Sequence, residues 1–290
     1  MMRPDRATLF LLAPAHLLLL AVIAIPSIHV LWLSLNVSSY GTELKFVGIV
    51  NYVKIFNDPY FWRASWNTFI VVNVVVYAEL LLGLALAALF VNGVPFPRIM
   101  FAIVLMPYAV SEVVGVLVWK ILMDPGIGTI SRTIEALGLG TFNWSVSPGQ
   151  GLGLVSVISI WHNLPFTFLL LYAGMLAIPQ SVYEAAKIDG ANAWQTYLRI
   201  TLPLLIPTLL ICLIFRLVFA FRLFSEVWLL TKGGPARLTE VLAVYLYQHG
   251  FQYGDFGVAA ATGWVMVLGS LLVASLYLFE MQRRMVKRDA

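Results

Sequence analysis

An all-α integral membrane protein with six transmembrane helices is the fold class that the sequence predicts, on three observations. The 290 residues are 61% hydrophobic and 11% charged, with a mean hydropathy of +0.89, whereas soluble domains carry about 25% charged residues. Six stretches almost free of Asp, Glu, Lys and Arg are each long enough for the ~20 residues that a helix needs to cross ~30 Å of hydrocarbon. Their continuous hydropathy excludes a transmembrane barrel, whose strands alternate polar and apolar residues.

The six predicted spans are joined by loops that leave no room for a separate soluble domain. They cover residues 9–35, 66–91, 99–123, 152–176, 203–230 and 257–281. A cleaved signal peptide has an apolar region of only ~7–15 residues, whereas no formally charged side chain occurs between Ala7 and Thr42. We therefore expect the first span to be retained, with Pro14 and Pro26 bending its helix without breaking it. Residues 1–290 are predicted to form a single transmembrane domain.

Lysine and arginine in the connections indicate which ends are cytoplasmic, since inner loops are enriched in both. With the N-terminus inside, the inner segments hold nine basic residues in roughly 50 positions, and the outer segments hold seven in roughly 85. The cluster from Arg283 to Arg288 decides this balance. Both termini are therefore predicted on the cytoplasmic side of the cytoplasmic (inner) membrane. The basic residues are scattered rather than arranged in a stripe, so the net charge of +4 does not indicate nucleic-acid binding.

One inner connection, residues 177–202, is much longer than the others. It contains two patterns typical of helix N-termini, Ser181-x-x-Glu184 and Asn192-x-x-Gln195, with Gly190 between them. These patterns predict two short helices joined by a glycine turn, followed by Pro203 in the first turn of the fifth span, where its missing N–H costs nothing. Such an elbow is compatible with resting on lipid, bracing its own chain or docking a partner, and its local physics leaves all three open.

The residues of this elbow resemble the EAA loop of binding-protein-dependent ABC importer permeases. Glu184-Ala185-Ala186 is followed after three residues by Gly190 and after nine more by Ile200-Thr201-Leu202-Pro203, and Ile188-Asp189-Gly190-Ala191 resembles the carbohydrate branch of that family. Other segments are similar to the maltose-type first permease of sugar importers. They are Phe46-Val47-Gly48, Asn51-Tyr52, Asn67-Thr68, Trp161-x-x-x-Pro165-Phe166 and Leu230-Thr231-Lys232-Gly233-Gly234-Pro235 with Thr239 and Tyr245. The chain departs from that prototype in its six spans and short first outer loop, as smaller members of the family do.

The resemblance implies the type I ABC importer permease (MetI-like) fold, with the elbow as a coupling helix. In similar permeases the elbow inserts into a cleft on a cytoplasmic ABC ATPase dimer, while an extracytoplasmic solute-binding protein delivers the solute. The implied coupling residues are Tyr183, Glu184, Ala185, Ala186, Asp189, Gly190, Ile200 and Pro203. ATP and Mg²⁺ would be bound by the partner ATPase, because this chain has no Gly-Lys dipeptide and therefore no Walker-type phosphate loop. Two elbows per ATPase dimer imply a second permease subunit or a second copy of this chain, and the maltose-type resemblance favours a heterodimer.

Five charged residues fall inside the predicted spans, namely Glu79, Glu112, Arg216, Arg222 and Glu226. A charge at the bilayer centre costs at least ~2.5–3.5 kcal/mol, so each needs a partner, a wet cavity or a position near the interface. Arg216 lies roughly 20 Å along the fifth span at ~1.5 Å per residue, and Glu79 and Glu112 are its candidate partners. Arg222 and Glu226, four residues apart, are compatible with an ion pair or with snorkelling at the outer edge.

Recognition of a sugar calls for flat aromatic faces and polar groups inside the bundle. Trp161, His162 and Asn163 form such a group in the fourth span, although packing is the simpler explanation for a lone Trp or His. The candidate solute path is therefore Glu112, Trp161, His162, Asn163, Arg216, Phe219, Arg222 and Glu226. No metal site is expected, because the histidines are dispersed without ligand spacing.

Three classes of function were compared on these features. A permease subunit that carries a sugar or sugar derivative accounts for the elbow. The alternative is a stand-alone secondary transporter or channel, which would usually show inverted halves and an ion-site carboxylate. An integral membrane enzyme would need a convergent set of catalytic side chains, which the dispersed histidines do not provide, so no catalytic residue is expected.

Overall fold

The computed structural model describes residues 6–40 and 43–286, and this part of the chain is almost entirely helical. The long helices are α1 (Arg6–Ser34), α3 (Pro59–Val91), α7 (Pro148–Leu176), α10 (Leu202–Ala220) and α13 (Phe256–Val286). The shorter helices are α2 (Val50–Phe56), α4 (Pro97–Ala109), α5 (Glu112–Leu122), α6 (Thr129–Ala136), α8 (Gln180–Ile188), α9 (Ala193–Thr196), α11 (Ser225–Leu230) and α12 (Leu242–Tyr247). Two-residue strands β1 (Asn36–Val37) and β2 (Lys45–Phe46) pair antiparallel.

Five helical stretches of the described chain are long and apolar enough to cross a membrane, and a sixth is a bent pair of helices. The predicted number of six spans is confirmed when that pair is counted as one span. The helix α1 runs through Pro14 and Pro26 without interruption, as expected. Helix α3 begins at Pro59, seven residues before the predicted start of the second span. Of the residues that decided the predicted orientation, Arg3, Lys287 and Arg288 lie outside the described residues.

The third span is not the single helix predicted over 99–123. Helices α4 and α5 meet at an angle of 98°. Val110 has φ −83° and ψ 138°, and Ser111 has φ −57° and ψ 134°, so two consecutive extended residues interrupt the helix. Pro107, in the last turn of α4, has no N–H to continue the helical ladder and favours an ending close by. The bend places Glu112 in the first turn of a new helix instead of in mid-span.

The fifth span also differs from the predicted helix over 203–230. Helix α10 ends at Ala220, and a separate helix α11 begins at Ser225. At its other end the helical backbone does not begin near Pro203. It runs without a break from Ala193 through a π-helical turn, Tyr197–Thr201, into α10. Pro203 therefore follows the π-helical turn inside a continuous helix, where backbone hydrogen bonds already depart from the α-helical pattern.

Contacts within the chain group the described residues into two compact units, the first made of residues up to Phe61 and of Tyr245–Val267. In this unit, the buried Asn51 side chain donates to the carbonyls of Ser34 and Asn36 at 2.9 Å each. The Tyr245 hydroxyl donates to Asp58 at 2.7 Å. These bonds satisfy polar groups that would be costly to bury alone.

The second unit, formed by Trp62–Val244 and the residues from Leu268 onward, contains the main apolar core. Helix α7 is central, packing against α4, α5, α10 and α11. Two of its glycine-mediated contacts are especially close: a Cβ at Gly174 would lie 2.7 Å from Thr208, and a Cβ at Gly83 would lie 2.7 Å from Thr167. Small residues that allow close approach are a common device of helix packing in membranes. The helices around the site described below are therefore closely packed.

The Asn67-Thr68 pair at the start of this unit has a structural explanation. The Asn67 amide donates to the carbonyls of Leu238 and Glu240 at 2.9 and 2.8 Å. The Thr68 hydroxyl accepts the backbone N–H of Leu242 at 2.8 Å. The two side chains thus fasten the 231–241 loop to helix α3.

Candidate functional site

The elbow consists of α8, a turn at Gly190 and α9. Gly190 has φ +77°, in the left-handed region that glycine adopts without steric cost. Its N–H donates to the Lys187 carbonyl at 3.1 Å, and the N–H of Ala191 donates to the Ala186 carbonyl at 3.0 Å. This pair of bonds is the Schellman ending of a helix, and it satisfies carbonyls that the end of α8 would leave free. The predicted glycine turn is confirmed.

The two predicted capping boxes have different outcomes. The Asn192 side chain accepts the N–H of Gln195 at 2.9 Å, and the Gln195 side chain accepts the N–H of Asn192 at 3.0 Å. The box predicted at Ser181 is wrong, because α8 already begins at Gln180 after Pro179 and has no side-chain cap. Pro179 fixes φ near the helical value at the helix boundary, so the helix starts before Ser181 reaches a capping position.

The coupling residues implied by the motif divide into an exposed set and an anchoring set. The exposed residues are Glu184, Ala185, Asp189 and Gly190. Ala186 is buried, and the half-buried Tyr183 shares a hydroxyl hydrogen bond of 3.2 Å with Thr201. Ile200 and Pro203 are half-buried in the helix that continues from α9. The elbow therefore exposes Glu184, Lys187 and Asp189, while Tyr183 and Ala186 hold it to the start of the fifth span.

A cavity of about 450 Å³ lies within the second unit. Its walls come from α4, α5, α7, α10, α11 and the break between the last two helices. The lining residues are Tyr108, Glu112, Ser159, Asn163, Phe166, Arg216, Phe219, Ala220, Arg222, Leu223, Ser225 and Glu226. Its volume is in the range of ~300–1,000 Å³ typical of small-molecule sites, and it combines aromatic faces with polar and charged groups.

Arg216 finds its partner on another helix, and that partner is Glu79. The Arg216 guanidinium donates from Nε and Nη2 to the two carboxylate oxygens of Glu79, the second bond measuring 2.7 Å. Its Nη1 donates to Asn163 Oδ1 at 3.2 Å. Glu79 is 0% and Arg216 3% exposed. A buried two-point ion pair of this kind satisfies both charges, so Arg216 borders the cavity as a compensated charge.

Arg222 and Glu226 do not form the ion pair that their spacing suggested. The two salt bridges found among the described residues are Arg216–Glu79 and Arg237–Glu240. Four residues bring two side chains to one face only within a continuous helix, and the helix is broken between Ala220 and Ser225. Arg222 is exposed, whereas Glu226 is buried beside Ser159 and Glu112.

Six of the eight residues predicted for the solute path line this cavity, and Trp161 and His162 do not. The Trp161 ring packs edge-on against Trp119 at 5.9 Å and lies against Gly115. The His162 ring lies 6.1 Å from that of Tyr108. Packing, the simpler explanation, therefore accounts for Trp161. The substrate role of the other residues stays a prediction.

Sequence reasoning missed four lining residues that carry polar or aromatic groups. They are Tyr108, Ser159, Phe166 and Ser225. Ser159 and Phe166 lie four residues before and three residues after Asn163, so the helical period places all three on one face of α7. That periodicity could have identified Ser159 and Phe166 as lining residues from the position of Asn163. Tyr108 and Ser225 had none, because they depend on the two helix breaks.

The fold and this arrangement define an inner-membrane transport component. Residues 79–285 match the family described as binding-protein-dependent transport system inner membrane component, and the chain belongs to that family. It is a permease subunit of an ABC importer and functions in transport. The solved chain of a bacterial ABC transporter involved in the import of the acidic polysaccharide alginate superposes with a TM-score of 0.79 at 24% identity, covering 94% of each chain.

Two of the relatives that match over nearly the full length illustrate the family. The sulfoquinovosyl glycerol transport system permease SmoG of Agrobacterium fabrum is 34% identical over 273 residues, covering 92% of this chain and 88% of the relative. The trehalose/maltose transport system permease MalF of Thermococcus litoralis is 31% identical over 280 residues, covering 96% and 94%. The expected family and fold are thereby confirmed.

Proposed function

We propose that this permease carries a sugar or sugar derivative into the cell by alternating access, driven by a separate cytoplasmic ATPase dimer that engages the elbow. The relatives support the class of solute: one is named for sulfoquinovosyl glycerol and another for trehalose and maltose. The cavity supports it too, because Tyr108, Phe166 and Phe219 offer aromatic surface beside hydrogen-bonding side chains.

The observation that carries the proposal is the continuous helix joining elbow and cavity. The helical backbone runs from Ala193, at the elbow, to Ala220, at the cavity wall. At ~1.5 Å per residue this rod is about 40 Å long. Its N-terminus is fixed by the Asn192–Gln195 capping box, and near its far end Arg216 is bonded to Glu79. A displacement of the elbow would therefore move Arg216, Phe219 and Ala220 together.

The elbow's exposed face fits a protein partner better than it fits lipid. Glu184 and Asp189 are exposed there with one lysine of α8, Lys187, between them, a charge balance unlike the clusters of basic residues that bind an anionic membrane surface. We assign this face to the ATPase dimer, which binds ATP and Mg²⁺. A solute-binding protein delivers the sugar from outside, a second permease subunit completes a heterodimer, and both termini of this chain lie in the cytoplasm.

The test is ATP hydrolysis by the assembled importer in proteoliposomes with its solute-loaded binding protein. Glu184→Lys reverses the charge of the docking face, and Gly190→Trp places a bulky residue at a backbone position with φ +77°. Each is expected to lower solute-stimulated hydrolysis at least tenfold while the protein still inserts and assembles.

The matched control is Glu135→Lys, a charge reversal at an exposed glutamate of α6, away from the elbow. It should leave stimulated hydrolysis within twofold of the wild type. Unchanged coupling in both elbow variants would refute the assignment of the elbow to the ATPase.

A further inference from the structure

We infer that the solute passing through the cavity is an uncharged polyhydroxyl compound and that anionic sugars are excluded, an inference that rests on the proposed import function. The family's relatives do not decide this point. One is named for a sulfonated glycoside, sulfoquinovosyl glycerol, and another for the uncharged trehalose and maltose. The charges around this chain's own cavity distinguish the two.

Four lining residues are charged, two of each sign: Arg216, Arg222, Glu112 and Glu226. Arg216 is not available to an anion, since both of its carboxylate-facing nitrogens are already bonded to Glu79 and a third donates to Asn163. Counting Glu79 behind the wall, three carboxylates face two guanidinium groups. The lining residues, with Glu79 included, thus carry no excess of positive charge that would attract an anionic solute.

Neither of the two lining carboxylates, Glu112 and Glu226, forms a salt bridge among the described residues. Glu226 is 4% exposed, and its neighbours are the Ser159 hydroxyl and the Glu112 carboxylate. Glu112 is exposed to the cavity, whereas Glu226 is buried, and a buried carboxylate is normally paired or hydrogen-bonded because removing it from water is costly. Hydroxyl groups of a sugar can donate to the carboxylate lone pairs that face the cavity, whereas a sulfonate, phosphate or carboxylate would add a further repelling charge.

The broken helices point to the same conclusion. In transporters with discontinuous helices, the positive N-terminal end of a half-helix commonly receives an anionic group of the substrate. Helix α5 begins at the break next to the cavity, and its own Glu112 occupies the first turn. That carboxylate already compensates the positive end, which leaves Arg222 as the remaining unpaired lining cation among the described residues.

The test measures the cavity's electrostatic preference without knowing the solute. Phe219→Cys and, separately, Tyr108→Cys place a thiol at a cavity-lining position. Each variant of the assembled importer is treated at pH 8 with a cationic trimethylammonium and an anionic sulfonate methanethiosulfonate reagent. The cation-to-anion rate ratio is divided by that of Leu139→Cys, an exposed position outside the cavity. The wild type, in which Cys212 is fully buried, gives the background.

We expect the normalised ratio to exceed one at both positions. Adding Glu112→Gln or Glu226→Gln should lower it by at least about threefold, because the removed charge acts with opposite sign on the two reagents while salt screens part of its effect. Glu135→Gln, in α6, should leave it unchanged. A ratio at or below one at both cysteines would overturn the inference.

A second readout concerns the solute itself. The ligand that most raises the melting temperature of the importer's solute-binding protein is expected to be uncharged at pH 7, and a sulfonate, phosphate or uronate in that place would overturn the inference. Neither readout involves the elbow. The two tests can therefore fail independently. A reagent ratio or ligand that contradicts this inference does not affect the hydrolysis test of the proposed function, and unchanged hydrolysis in the elbow variants does not affect the reagent ratio.

Discussion

Arg216 and Glu79 join α10 to α3 through a two-point ion pair that is almost completely buried. The pair sits behind one wall of the cavity, and its third bond, from Arg216 to Asn163, reaches α7. Three helices that line or support the cavity therefore meet at one guanidinium group. This arrangement makes Arg216 a positioning residue for the cavity as well as part of its wall.

Replacing one partner of this ion pair should lower the stability of the protein more than replacing both partners. Arg216→Met or Glu79→Leu alone leaves one uncompensated buried charge and is expected to lower the free energy of unfolding by about 3–5 kcal/mol, whereas the double variant should recover most of that loss. Unfolding by SDS titration of the purified protein measures all three. Arg222→Met, which removes a guanidinium without an ion pair, is the control and should change stability by less than about 1 kcal/mol. Equal losses in the single and double variants would contradict a pairwise role.

The Asn192 capping box should stabilise the elbow, whereas Ser181, which forms no cap bond, should not. Asn192→Ala removes the acceptor for the Gln195 N–H and should cost the start of α9 about 1 kcal/mol. Ser181→Ala removes a hydroxyl that makes no cap bond at α8 and should have little effect. Hydrogen–deuterium exchange over residues 180–200 measures both, with Asn192→Asp expected to retain protection. Faster exchange in the Ser181 variant than in the Asn192 variant would reverse this assignment.

The sequence predicted the elbow well because local rules govern it. A glycine turn and an Asn–Gln box depend on residues within four positions of each other, and both appear as expected at Gly190 and Asn192. The number of spans was also predictable, because hydropathy over ~20 residues is a strong signal. The Ser181 prediction failed for an equally local reason, because Pro179 caps the helix two residues before the predicted cap.

The cavity was harder to predict because it depends on two breaks inside apolar stretches. Hydropathy does not register the extended residues Val110 and Ser111, nor the interruption between Ala220 and Ser225. A continuous helix would have paired Arg222 with Glu226, whereas the break separates them and brings Glu226 near Glu112. The partner of Arg216 required knowledge of which helices pack together, which no spacing within one helix contains.

The close approach of α7 and α10 should depend on Gly174. A Cβ there would lie 2.7–2.9 Å from Thr208 and Leu205, too near for any real side-chain atom. Gly174→Val is therefore expected to force the helices apart and lower stability by about 1–3 kcal/mol, with a lower melting temperature in detergent. Gly153→Ala, on the same helix with no neighbour within 4 Å of the added Cβ, is the control. Equal melting temperatures for the two variants would show that the contact contributes nothing.

Gly190 has room within this chain for a small side chain, so a modest substitution there should act through the backbone conformation. No atom lies within 4 Å of a Cβ placed there, whereas its φ of +77° is unfavourable for residues with a β-branch. Gly190→Val is expected to impair solute-stimulated ATP hydrolysis strongly, and Gly190→Asn, which visits the left-handed region more readily, only mildly. The two side chains are similar in volume, so the comparison isolates the backbone from bulk. Gly149→Val, at a glycine with open space and no positive φ, should retain coupling. If the valine and asparagine variants lost coupling equally, the turn's geometry would not be what transmits force from the elbow to α10.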